Sequence, residues 1–156
     1  MYILKNNVPI FGYAMSKKDL KNVLDDIGYN IIEHIVKLYF YRNKGAIRHW
    51  RREIFSFLPR VSVLKHNHKL PSSDFLYENL YHVNSNKIGR IVLSVAQWYV
   101  DEYGDSDVEV NDDSISDVTD IISRYLKWLS ENLSRTGDVT PNEVYNQLDA
   151  LGLSDK

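Results

Sequence analysis

Thiol chemistry is closed to this sequence, which holds no cysteine, and its imidazole, carboxylate and guanidinium groups are the ones whose spacing invites a chemical reading. That absence removes thiolate metal sites, disulfide frameworks and cysteine nucleophiles together. Five histidines remain. His66-Asn67-His68 has a spacing two metal ligands can share, with His49 or His82 elsewhere in the chain. No acid lies beside it in sequence, and zinc needs a third or fourth ligand, so we read a polar loop and expect no metal site. His34 stands among Ile31, Ile32, Ile35 and Val36 and is expected to be a hydrogen-bonded core histidine. Asp105-Ser106-Asp107, with Glu109 and Asp112, has the acid density of a calcium loop. The central glycine is missing, and the twelfth position from Asp105 is Ser116 rather than a bidentate glutamate. Neither the Gly-x-Ser-x-Gly elbow nor either common glycine-rich phosphate loop occurs, and no cofactor is expected.

The arginines say more. From Arg42 to Lys69 there are eight basic residues against one acid, Glu53, a net +7; from Tyr99 to Asp120 there are nine acids and no Lys or Arg. The formal net charge of −2 therefore hides a strongly dipolar sequence. Arg48, Arg51 and Arg52 fall at i, i+3 and i+4, which puts three guanidinium groups on one face of a helix while Trp50 and Ile54 point toward a core. Like charges at this spacing cost an isolated helix about 0.2–0.5 kcal/mol per pair. An anion facing them offsets that cost, and the planar arginine fork binds phosphate oxygens two at a time. The expected contact surface is Lys44, Arg48, Arg51, Arg52, Arg60 and Lys65, and its expected function is binding rather than catalysis. The expected partner is an anionic macromolecule, nucleic acid or an acidic protein face, or another copy whose 99–120 region meets the 42–69 region. A solvated basic face neutralised by the acidic segment within one fold accounts for the same pattern. Of Tyr39-Phe40-Tyr41, which precede the basic run, Tyr39 and Phe40 are assigned to the core and Tyr41 to the surface.

Arg42-Asn43 followed by His49 resembles the Arg-x4-6-His pattern of HEPN-type ribonucleases, over eight residues of the chain. In that family the pair sits in an α-helical bundle, usually dimeric. The resemblance implies Arg42 and His49 as a metal-independent RNA-cleaving pair, with Asn43 as the polar residue beside the arginine.

The elements that must hold these groups read as successive helices. Ser16 and Asp19 approximate a capping box ahead of Leu20, Val23, Leu24 and Ile27, and Gly28 is expected to stop that helix. A second helix, apolar on more than one face, follows through Ile31–Phe40, and Asn43 with Gly45 marks a turn. Ile47, Trp50, Ile54 and Leu58 line a third, ended near Pro59; Arg60 to Lys69 shows no clear period. Pro71-Ser72-Ser73 opens a short helix through Leu80, and Ile88 to Tyr99 forms a helical stripe closed by Gly104. After an acidic loop over 104–114, Val118 to Leu133 forms the clearest amphipathic helix, with Gly137 past its end. Thr140, Pro141 and Glu143 open the last. Strand fits only the first fourteen residues, as a short hairpin through Tyr2–Leu4 and Val8–Phe11.

The expected fold is all-α or nearly so: a compact bundle of six to seven helices in one domain over 1–156, with an extended segment over 1–15. A chain of 156 residues, 44% hydrophobic and 26% charged, is long and apolar enough to build such a core. No apolar run approaches the roughly 20 residues of a membrane span, and no signal peptide is evident, so a cytoplasmic protein is expected.

Overall fold

Four short polar side chains set where helices begin. Ser16, Ser72, Asn111 and Thr140 each accept a hydrogen bond from the backbone N–H three residues on, at 3.2, 3.1, 2.9 and 3.2 Å. Each satisfies a donor that the first helical turn leaves unpaired. In the computed structural model, which describes residues 4–5, 8–9, 16–41, 46–66, 69–104 and 109–155, the chain is an all-α bundle. Helix α1 runs Lys17–Tyr41, α2 Ile47–Ser56, α3 Ser73–Tyr77, α4 Val83–Ser85, α5 Ile88–Tyr103, α6 Asp112–Thr136 and α7 Pro141–Ala150. A 3-10 segment, Leu58–His66, follows α2, and a π-helical turn, Glu78–His82, joins α3 to α4. The N-terminal hairpin is a two-residue antiparallel ladder, β1 (Leu4–Lys5) on β2 (Val8–Pro9), with Leu4 opposite Pro9.

Helix α1 is the axis of the bundle. It packs against α2, α5, α6 and the π-helical turn, and Ile31, Ile32, Ile35, Val36 and Leu38 are all fully buried. That all-round burial is what the apolar surround in the sequence requires. The expected break at Gly28 does not occur: α1 continues through it without interruption. A Cβ on Gly28 would lie 2.0 Å from the Leu80 carbonyl oxygen and 2.8 Å from its carbon. The glycine is thus a point of backbone contact between α1 and the π-helical turn, and not a helix stop. Asn84, fully buried, tightens the same junction by donating from Nδ2 to the Asp25 and Leu80 carbonyls at 3.2 and 3.3 Å.

Other boundaries follow from local chemistry. Asp112 and Asp113 belong to the first turn of α6 and not to the acidic loop, which suits carboxylates to the positive end of a helix. Asn111 and Ser114 close a capping box there, and Gly137 ends the helix at φ 75°, a left-handed conformation glycine adopts without strain. Tyr41, assigned to the surface from the sequence, is buried and stacks on Tyr99 of α5 with ring centres 4.1 Å apart. Among the described residues no helix is long and apolar enough to cross a membrane.

Gly28→Ala is expected to destabilise the fold although alanine is the better helix former. Its methyl group meets backbone that has no rotamer to escape into, and overpacking of this kind costs about 1–3 kcal/mol. Thermal unfolding followed by circular dichroism should show a lower midpoint. An unchanged midpoint would disprove the close approach.

Candidate functional site

Helix α2 is amphipathic: Trp50 and Ile54 are buried and Trp50 meets the Trp98 ring of α5 edge to face, 6.4 Å between centres. This anchoring presents the opposite face of the helix outward. There a cavity of about 470 Å³ is lined by Arg48, Arg51, Arg52, Tyr145 of α7 and Asp155. The structure thus brings together three of the six residues expected at the contact surface. Lys44 and the side chain of Lys65 lie outside the described residues. Arg60, on the 3-10 segment, is paired with Asp26 of α1, and Arg60 is absent from the wall of that cavity.

The three arginines do not stand alike. Arg51 is only 7% exposed, which overturns its expected place on a shared outer face. Its Nη1 donates to Asp149 Oδ1 and to the Leu153 carbonyl, each at 2.6 Å, and its guanidinium lies over the Tyr145 ring at 5.4 Å. Asp149 and Leu153 sit at and just past the C-terminal end of α7. Arg51 therefore fastens the end of α7 to α2. Arg48 and Arg52 remain exposed. Arg48 Nε lies 3.4 Å from an Asp155 carboxylate oxygen, a solvent-facing pair that contributes at most about 1 kcal/mol. Arg52 makes no ion pair among the described residues. Among the described residues the arginine ion pairs of this region run to Asp26, Asp149 and Asp155, not to the acidic 99–120 segment.

A second constellation uses the other edge of α2. His34 of α1 is buried, and its Nδ1 lies 2.8 Å from the Asn30 carbonyl, which can only accept, so that nitrogen carries hydrogen. Its Nε2 meets Glu53 Oε2. The other carboxylate oxygen, Oε1, holds His49 Nε2 at 2.7 Å. Glu53, the one acid of the basic segment, thus takes an imidazole on each oxygen, one buried and one exposed. The His49–Glu53 spacing of four on one helix is legible in the sequence; the arrival of His34 from α1 is not. When neutral His49 donates from Nε2, its lone pair is on Nδ1. Among the described residues, no group of three or more His, Asp or Glu is placed to hold a metal ion. The His66 side chain, Asn67 and His68 lie outside the described residues, as do Arg42 and Asn43.

The fold and these two constellations define a helical bundle with a basic cavity on one edge of α2 and a histidine–carboxylate cluster between α1 and α2. Comparison with family models, with curated proteins and with solved structures gives no match.

Arg51→Met is expected to lower stability by about 1–3 kcal/mol, because it leaves the Leu153 carbonyl and Tyr145 without their partner. Arg48→Gln and Arg52→Gln should stay within about 0.5 kcal/mol of the parent. Urea titrations of the three variants test this. Equal midpoints would show that Arg51 is not a fastener.

Proposed function

We propose that this chain is a binding protein that receives an anionic macromolecule, nucleic acid or an acidic protein face, on the arginine face of α2. The observation that carries the reading is the cavity mouth: Arg48 and Arg52 are exposed on it, with Arg51 set into the wall. Two exposed forks beside one fixed by Asp149 suit an anion with several oxygens. Asp155 is the local counterion, and a solvent-screened pair of this kind yields readily to a ligand of higher charge.

Arg48→Glu combined with Arg52→Glu should abolish retention on immobilised nucleic acid or on polyglutamate. Wild-type retention should weaken steeply as salt rises, because phosphate binding releases counterions. Retention on polyglutamate alone would assign the partner to an acidic protein face. Retention on neither matrix, or retention that the double variant leaves intact, would sink the reading.

A second reading is favoured by the His49–Glu53 bond, since an exposed imidazole oriented by a carboxylate has the form of a general base. In a metal-independent ribonuclease using Arg42 and His49, the Nδ1 lone pair would take the proton of the RNA 2′-hydroxyl as that oxygen attacks the adjacent phosphorus; the P–O5′ bond breaks, the 5′-oxygen leaves with a proton taken from water or from the imidazolium, and a 2′,3′-cyclic phosphate remains. RNA degraded by wild type should survive incubation with His49→Ala. Equal degradation by both preparations would exclude the residue.

A further inference from the structure

A cavity of about 370 Å³ lies where α1 passes the first half of α5, walled by Tyr29, Lys87, Arg90, Ile91 and Ser94. The last four occupy i, i+3, i+4 and i+7 along one stripe of α5 and its N-cap, so their side chains share one surface. Ile91 is buried and floors the stripe, whereas Arg90 and Ser94 are exposed. Across from them Tyr29 is 37% exposed, a ring left half open to solvent in a helix otherwise rich in buried apolar groups.

Charge sets this cavity apart. Three other cavities each pair their cations with a carboxylate in the wall: Asp155 beside the α2 arginines, Asp25 beside Lys17 and Lys21, and Asp74 beside Lys127. Among the described residues no carboxylate stands in the wall that holds Lys87 and Arg90. Of the α1 carboxylates one turn either side of Tyr29, Asp26 pairs with Arg60, Glu33 pairs with Lys37, and Asp25 lines the cavity that holds Lys17 and Lys21. Among the described residues neither Lys87, Arg90 nor Ser94 makes a side-chain hydrogen bond or ion pair. Two cations and a hydroxyl without partners, facing a half-open aromatic ring, form a site that lacks its anion.

We propose that this cavity binds a nucleotide, the phosphate on Lys87, Arg90 and Ser94 and the base against the Tyr29 ring. The fork of Arg90 suits phosphate oxygens, the lysine supplies a point charge, and a tyrosine face stacks on a planar base whatever its identity. The volume falls in the range of small-ligand sites. The shared chemistry is a phosphate joined through a sugar to a base, whether free or as one unit of a strand. The inference uses different residues from the α2 reading and stands or falls without it.

The test is calorimetric titration of the folded chain with adenosine 5′-monophosphate, inorganic phosphate and a ten-nucleotide single strand. Wild type should bind the nucleotide more tightly than phosphate. Arg90→Glu should lose about tenfold or more of that affinity, since it removes a charge-assisted contact and adds repulsion. Tyr29→Leu should bind the nucleotide no better than phosphate, and Lys127→Glu, in the wall of a different cavity, should bind it as wild type does. A strand that outcompetes the mononucleotide identifies the unit as part of a chain; the reverse identifies a free nucleotide. Absence of nucleotide binding by wild type, an unaffected Arg90→Glu, or a Tyr29→Leu that keeps its preference overturns the proposal. Circular dichroism of each variant confirms that binding is compared between folded proteins.

Discussion

Where α1 meets the π-helical turn, two backbones touch with no side chain between them. The Leu80 carbonyl occupies the space a Cβ would take at Gly28, and Asn84 holds both sides of the junction from within the core. This approach determines how far α3, the turn and α4 stand from the axis of the bundle. It also explains why a long helix rich in isoleucine carries glycine near its middle, where intrinsic propensity disfavours it. The apolar part of α1 around Ile31–Leu38 can then be buried among α2, α5, α6 and the turn, because one of those neighbours is allowed to come unusually near. A regular α-helical turn carries its carbonyls along the axis to the next turn; the wider π form lies at this contact.

The basic helix shows how residues of one type at neighbouring positions acquire different roles. Arg48, Arg51 and Arg52 are equivalent by charge and spacing. What separates them is the arrival of α7, whose C-terminal end offers Arg51 a carboxylate, a carbonyl and a ring. Burial of a charge is tolerated only with such partners, and the guanidinium satisfies the requirement with two short hydrogen bonds from one nitrogen. Arg48, paired only with the solvent-facing Asp155, and Arg52 stay exposed. The fixed arginine shapes the wall of the cavity that the exposed ones flank.

Much of the architecture is legible from local signals. Ser72 and Thr140 announce helix starts through their own side-chain hydrogen bonds, and the stripes Ile88–Tyr99 and Val118–Leu133 carry the period that their burial later requires. Misreadings fall where the deciding partner is distant in sequence. Glycine signals either a helix end or a close approach, and only the arrival of Leu80, 52 positions further on, selects the second at Gly28. Tyr41 reads as surface until Tyr99 supplies a ring to stack on. Arg51 reads as exposed because nothing near it suggests Asp149. At the candidate site, the His49–Glu53 pair is local and visible in the sequence, whereas the His34 contact depends on how α1 and α2 cross. Lys87 and Arg90 escape a search for charge runs because they are only two cations, outside the basic segment; what distinguishes them is the absence of a carboxylate in their wall.

The bond from Arg51 to Asp149 spans 98 positions of the chain, and that to Leu153 spans 102. A closure this long has an entropic cost that nearest-neighbour helix contacts do not share, so it belongs late in the order of assembly. During synthesis the delay is literal. At about 5–20 residues per second, Asp149 is made roughly 5–20 s after Arg51. Until α7 is made, Arg51 has none of the partners, Asp149, the Leu153 carbonyl and the Tyr145 ring, that let its charge be buried in the fold.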